Sequence, residues 1–412
     1  MPVGKTVLGL ALGRSSETLL VPTPSPASHG GDLPRLLGRN SAVSESEPAL
    51  SELRSRLPRA LALGLVCVGA TVWSSACGGS SAKSRAPVPL GKRPSPAVRA
   101  TIKVGPSPIA VAVGDGGVWV ANYADGTITR IDPRTARVSG RAISVGAAPL
   151  AIATDRSGVW VATGAGRVLH IDPQTRRVVG PPIDVKDPAG IAVGDGTVWV
   201  TSRTSNAIIR INSTTARVSG APIMVGSAPT DIAVDGDNTW VANSGDGTVS
   251  RIDAPSGRVK GPAIAVAHQR PLTPGGSQPT VSQPGAEILA LTVGEDGVWV
   301  AKTDQAQTNS IQVVRIDPAS DKVTTPPVSV TGGVPMRLAA GAGAVWATDI
   351  GNIVPPGRPR KPSLLNIDPA SQRLAVTSLP VGLRPTGVAV GQGKIWVTNS
   401  GDNTVTEVAA YR

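Results

Sequence analysis

The sequence predicts an all-β fold, a seven-bladed β-propeller of four-stranded blades, and three observations carry that prediction. Seven tryptophans, at 119, 160, 199, 240, 299, 346 and 396, each sit inside one recurring phrase. Each copy of about 40 residues offers four short runs rich in Val, Ile and Thr, parted by Gly, Asp, Asn and Pro, which is the signature of a propeller blade. The two ends of the repeat region are complementary: the last copy lacks a fourth run, and an unattached fourth run precedes the first copy.

Blade one reads PIAVAVGDGGVWVAN from Pro108 to Asn122. A proline stands eleven residues before the tryptophan in six copies (Pro108, Pro149, Pro188, Pro229, Pro335 and Pro385), with Ile288 in its place in the fifth. Val118-Trp119-Val120 is apolar without alternation, as expected of a strand whose sheet is covered on both faces. One tryptophan per blade at one position reads as core packing. A turn such as Asp125-Gly126 follows, then a third run ending Arg130-Ile131-Asp132, with relatives at His170-Ile171-Asp172, Arg210-Ile211-Asn212, Arg251-Ile252-Asp253, Arg315-Ile316-Asp317 and Asn366-Ile367-Asp368. The fourth run extends from Arg137-Val138 to Ile143–Val145. The seventh copy stops at Thr404–Val408, and Val98–Val104 matches a fourth strand. This N-terminal strand is expected to complete the last blade and close the ring, leaving no gap between first and last blades.

Ahead of the repeats, Arg54, Arg56 and Arg59 precede an apolar run from Ala60 to Trp73 and the segment Ser74-Ser75-Ala76-Cys77-Gly78. That is the layout of a secretory signal, and its apolar run is short for a membrane span. The sequence around Cys77 resembles a bacterial lipoprotein cleavage site, with Ser74 where a leucine is usual. The resemblance implies lipidation of Cys77 and attachment to the extracytoplasmic face of a membrane; a simple signal peptide, giving a secreted protein, or an uncleaved anchor is the alternative. Cys67, inside the apolar run, is the weaker acceptor. The expected organisation is a disordered extension or misassigned start over 1–51, a signal over 52–77, a tether over 78–97 and the propeller over 98–412. Both cysteines precede the propeller, so it holds no internal disulfide.

The formal net charge is +12, half of it before residue 98. The propeller is therefore mildly basic, Arg358, Arg360 and Lys361 are its one dense basic group, and nucleic acid is not the expected partner.

The Val-Trp-Val-Ala-Asn phrase, and Ile395-Trp396-Val397-Thr398-Asn399, resemble the YVTN-type repeats of bacterial surface and periplasmic propellers. They are also similar to the repeats of streptogramin (virginiamycin B) lyase and its NHL-like relatives. The resemblance spans 98–412 and implies the fold; its members include extracytoplasmic binding proteins, a group able to bind DNA, and metal-dependent lyases. The lyases place His and Glu around a divalent metal at the central channel, whereas only His170 and His268 lie in this propeller, so neither a metal, a cofactor nor catalytic residues are expected.

In a propeller the connections between blades and those between second and third strands share one face. Three insertions, at 266–286, 303–310 and 350–363, all fall on that face, where variable loops over a rigid scaffold usually carry binding. Two residues after the repeat proline, five blades hold Ala110, Ala151, Gly190, Ala290 and Gly387, while the fourth holds Asp231 and the sixth Arg337. Asp187, Glu287 and Arg384 occupy neighbouring positions, the adjacent loops supply Arg203, Lys302, Asp304 and Asp349, and Tyr123 is the aromatic candidate. The expectation is a monomer whose charged channel mouth holds a polar small molecule, a peptide or an envelope protein. A lyase or a DNA-binding propeller is the alternative function, and a solvated salt-bridge rim is the plainer reading of the charges.

Overall fold

The computed structural model describes residues 96–410, apart from 115, 267–287, 304–309, 332–334, 352–360 and 376–377. Residues 1–95, with both cysteines, lie outside the described residues, as do Glu287, Asp304, His268 and most of the three insertions. The described chain is all-β, with seven antiparallel sheets and no helix. In blade one the strands Pro108–Gly114, Gly117–Asn122 and Thr127–Asp132 pair in chain order from the inside outwards, and the short pairs Arg137–Val138 and Ile143–Ser144 complete the sheet. The innermost strands of blades two to seven are Pro149–Asp155, Pro188–Gly194, Pro229–Asp235, Ile288–Gly294, Pro335–Gly341 and Pro385–Gly391. Each abuts its neighbours around the ring, and the strand of blade seven meets that of blade one.

The second strands explain why the phrase repeats. Gly117–Asn122 and Gly158–Thr163 are buried along their whole length, as a sheet between two others requires. All seven propeller tryptophans are at most 1% exposed. Each packs forward onto the following blade: Trp119 joins Val159, Val161 and Ile171 of blade two, and Trp346 joins Ile395, Val397 and Val408 of blade seven. Trp396 of blade seven in turn packs on Val118, Val120 and Ile131 of blade one. A propeller of this kind is held by cores between blades rather than within them. Emptying one by Trp→Ala costs about 3–5 kcal/mol.

Ala97–Lys103 pairs antiparallel with Thr404–Ala409, with Ile102 opposite Val405, and is the fourth strand of the last sheet. The outer edges of blades one to four are interrupted. Gly140, Gly180, Gly220 and Gly261 hold φ between 64° and 76° midway along the outer runs of blades one to four, and such breaks disfavour pairing with another chain.

Candidate functional site

The mouth on the loop-bearing face is built on one repeated and costly backbone feature. Ser107, Asp187, Ala228 and Arg384, each directly before the repeat proline, have φ of 52°, 46°, 47° and 51°. A side-chain-bearing residue before proline is ordinarily extended, so the left-handed conformation costs of order 1 kcal/mol or more at each position. The carbonyls so turned accept the amide that opens the following loop: Tyr123 N on Ser107 O at 3.0 Å, Arg203 N on Asp187 O at 3.0 Å, Ser244 N on Ala228 O at 3.1 Å and Ser400 N on Arg384 O at 3.0 Å. In blade two Gly164 N bonds Ala148 O at 2.8 Å. The backbone thus repeats while the side chains beside it change from Ser and Tyr to Asp and Arg. Tyr123 is 44% exposed, and Arg384 is exposed next to Leu383, which is 57% exposed. Asp187 and Arg203 form a two-pronged ion pair, Nη2 to Oδ1 at 2.9 Å and Nε to Oδ2 at 3.2 Å. Hydrogen bonding to Arg203 holds the Asp187 carboxyl below its ordinary value, and Asp187 raises Arg203.

Asp231 and Arg337 meet different partners. Asp231 Oδ2 accepts Leu291 N at 2.9 Å and Oδ1 accepts Ile232 N at 3.0 Å. Arg337 Nη1 donates to Leu289 O at 3.3 Å. The two charges therefore grip the innermost strand of blade five from blades four and six. Burial pushes the Asp231 carboxyl up, against the opposing influence of the Arg337 charge and the two amides. The small residues of the other blades have a steric reason in the adjacent innermost strand. A Cβ on Gly190 would stand 2.9 Å from Thr230 O, and one on Gly387 2.9 Å from Ile109 O, each on the next blade's innermost strand. The position faces the neighbouring blade, and Asp231 uses that closeness to reach Leu291.

Lys302 and Asp349 occupy a third repeated position, three residues after the tryptophan. Asn122, Asn243 and Asn399 hold it in blades one, four and seven, fully buried, with Nδ2 donating to Thr127 and Thr129, to Thr248 and Ser250, and to Thr404 and Thr406, and the buried Thr163 and Ser202 hold it in blades two and three. Thr127 in turn donates to Asp125, so this network shapes the loop that carries Tyr123. Asp349 is fully buried and its Oδ1 accepts Gly351 N at 2.9 Å. Lys302 is half-buried, between Ile288 and Gln312 in the ladder. Of the mouth candidates, Tyr123, Arg203, Asp187 and Arg384 line the outward loops, Asp231 and Arg337 lie between blades, Asp349 lies inside blade six, and Glu287 is outside the described residues.

A divalent metal of the lyase kind does not fit the described residues, which bring no three His, Cys, Asp or Glu side chains together. His170 stacks flat on Trp160, with centroids 4.2 Å apart and planes 4° apart, and its Nε2 lies 2.9 Å from Ser157 O, so it is a packing group rather than a surface one. From the sequence this position is expected at the surface rather than in a site, and its packing on the tryptophan goes unread. His170 stands directly across the ladder from Trp160, as Arg130 does from Trp119 and Arg251 from Trp240, whose guanidiniums cover the indoles at 5.6 Å and 4.9 Å. In blade seven Glu407 takes the position, and the cation comes from the preceding strand: Lys394 covers Trp396 at 5.6 Å and pairs with Glu407 at 2.8 Å. The eleven-residue spacing of Trp119 and Arg130 was the available signal.

No family model matches the chain, and no curated protein matches it. Solved structures do. The virginiamycin B lyase of Staphylococcus aureus is 17% identical with a TM-score of 0.57, covering 76% of this chain and 99% of the lyase. The hydrazine synthase of Kuenenia stuttgartiensis is 17% identical with a TM-score of 0.58, covering 74% of this chain and 96% of that one. A chain of the mitotic checkpoint complex is 13% identical with a TM-score of 0.58, covering 82% and 99%. Proteins named for such different roles share this architecture, and the likeness establishes the propeller fold alone.

Proposed function

We propose that this chain is a membrane-anchored, extracytoplasmic binding propeller that holds a polar ligand or a protein partner at its loop-bearing mouth. One observation carries the reading: the costly left-handed turn before the repeat proline recurs with the same hydrogen bond, while the side chains it presents vary between Ser107, Asp187, Ala228 and Arg384. Rigid backbone with variable outward chemistry is what a recognition surface needs, since ordering costs are met before the partner arrives. Tyr123 and Arg384 supply an exposed aromatic and an exposed cation, the residue types that dominate binding hot spots.

The test is capture from envelope extracts by the full chain and by a Tyr123→Ala, Arg384→Ala variant. The reading expects capture to fall about tenfold or more with unchanged melting; equal capture by the variant refutes it. Anchoring is tested separately. Cys77→Ser is expected to move the protein from the detergent phase to the aqueous phase, because the several acyl chains of a lipoprotein anchor firmly where one does not. An unmodified mature N-terminus at another residue contradicts the anchor.

A further inference from the structure

A second feature lies on the outer rim between blades one and two. There an open cleft of about 620 Å³ runs between the segments 140–144 and 175–178, with Arg141, Arg176 and Arg177 beside Ile143, Thr175 and Val178. Seven copies of one phrase provide an internal standard for these arginines. Arg141 stands where blades two, three and four have Pro181, Ala221 and Pro262. Arg176 takes the left-handed turn position, with φ 57°, that holds Ala136, Ala216 and Gly257 in blades one, three and four and Asp321 and Gln372 in blades five and six, so it alone places a cation there. Two arginines without a counterpart in the other blades thus converge on one cleft from neighbouring blades.

The backbone leaves room for one of them. Arg176 Nη1 reaches across to Ser139 O at 3.1 Å, and a Cβ on Gly140 would coincide with that guanidinium. Gly140, left-handed like Gly180, Gly220 and Gly261, thus leaves room for Arg176 to lie across the cleft wall. None of the three arginines forms an ion pair with a carboxylate among the described residues. Asp172, opposite Arg177 in the ladder, turns its oxygens to Gln174 N and to the Thr175 hydroxyl. Unpaired guanidiniums on an apolar floor are suited to a multiply charged oxyanion, which takes forked, charge-assisted hydrogen bonds.

We propose that this cleft binds a phosphate group, carried either by a soluble phosphate compound or by an anionic lipid headgroup. The site is separate from the loop-bearing mouth, since Thr175 and Arg176 belong to a turn between third and fourth strands. Equilibrium dialysis of the full chain with radiolabelled pyrophosphate tests the first source. Flotation with phosphatidylglycerol vesicles, against phosphatidylcholine vesicles, tests the second. The expected result is saturable binding in one arm, weakened about tenfold or more by Arg141→Ala, Arg177→Ala. The charge-matched variant Arg217→Ala, Arg258→Ala, which alters the rims of blades three and four, is expected to bind like the parent. Binding in the dialysis arm identifies a soluble phosphate, and binding in the flotation arm alone identifies a lipid headgroup. No binding in either arm, or equal loss in both variants, overturns the proposal.

Discussion

The grip of Asp231 and Arg337 on blade five yields a quantitative prediction. Asp231→Ala removes the acceptor for Leu291 N, an amide in the contact between two innermost strands, and leaving it unsatisfied costs about 1–3 kcal/mol. Arg337→Ala takes a charged donor from Leu289 O and costs about the same. It also strips Asp231 of the cation that opposes its burial. Part of the second cost therefore exists only while Asp231 is present, and the double variant is expected to lose less than the sum, by about 0.5–3 kcal/mol. Urea unfolding of the full chain, followed by tryptophan fluorescence, measures the cycle. The sign of the pH dependence is also determined. A carboxyl raised in the folded state favours folding below its ordinary value of 3.8 and loses that contribution as pH climbs through the folded value. The penalty for Arg337→Ala is thus expected to shrink as pH falls towards the ordinary carboxyl value. Effects that add within about 0.5 kcal/mol refute the grip and return both residues to the ligand-contact reading.

Two further predictions concern the ring and its turns. Deleting Val98–Val104 uncovers Thr404–Ala409 and removes Ile102 from the core around Trp396, so cooperative unfolding is expected to be lost or aggregation to follow; deleting 1–51 is expected to leave melting unchanged, and a parental melt after the strand deletion contradicts the assignment. Asp132, Asp172 and Asp317 are held below the ordinary carboxylate range chiefly by backbone amides of their turns, so their contribution is present above about pH 4 and lost as pH falls. Asn212 already makes the same turn bonds, to Thr214 N at 3.0 Å and Thr215 N at 2.8 Å, so Asp172→Asn is expected to keep neutral stability and flatten the acid limb of the melt.

What the sequence made legible was whatever the repeat enforces. The tryptophan register, the continuous apolar second strands and the four-strand count follow from one-dimensional periodicity, because every blade solves the same packing problem. Relations between blades were harder to see. The small-residue rule at Ala110 and Gly387 was visible, but its cause is the backbone of the next blade, which lies far along the chain. Asp231 and Arg337 were singled out as exceptions, yet their shared partner strand emerges only when blade five stands between them. Asp349 and Lys302 looked like loop charges and instead fill the position of the buried Asn122. The cleft beside Arg141 and Arg176 joins two blades through their outer strands, and no spacing within a single repeat encodes it.

The mouth is the proposed binding surface. Hydrogen exchange on the full chain, free and with its captured partner, addresses that directly, because the amides of Tyr123, Arg203, Ser244 and Ser400 all close the turns that frame the mouth. Binding there is expected to slow exchange at these four amides and leave the Asp132 and Asp172 turns on the opposite face unchanged. Protection confined to those opposite turns, with the mouth amides exchanging as in the free protein, contradicts the account.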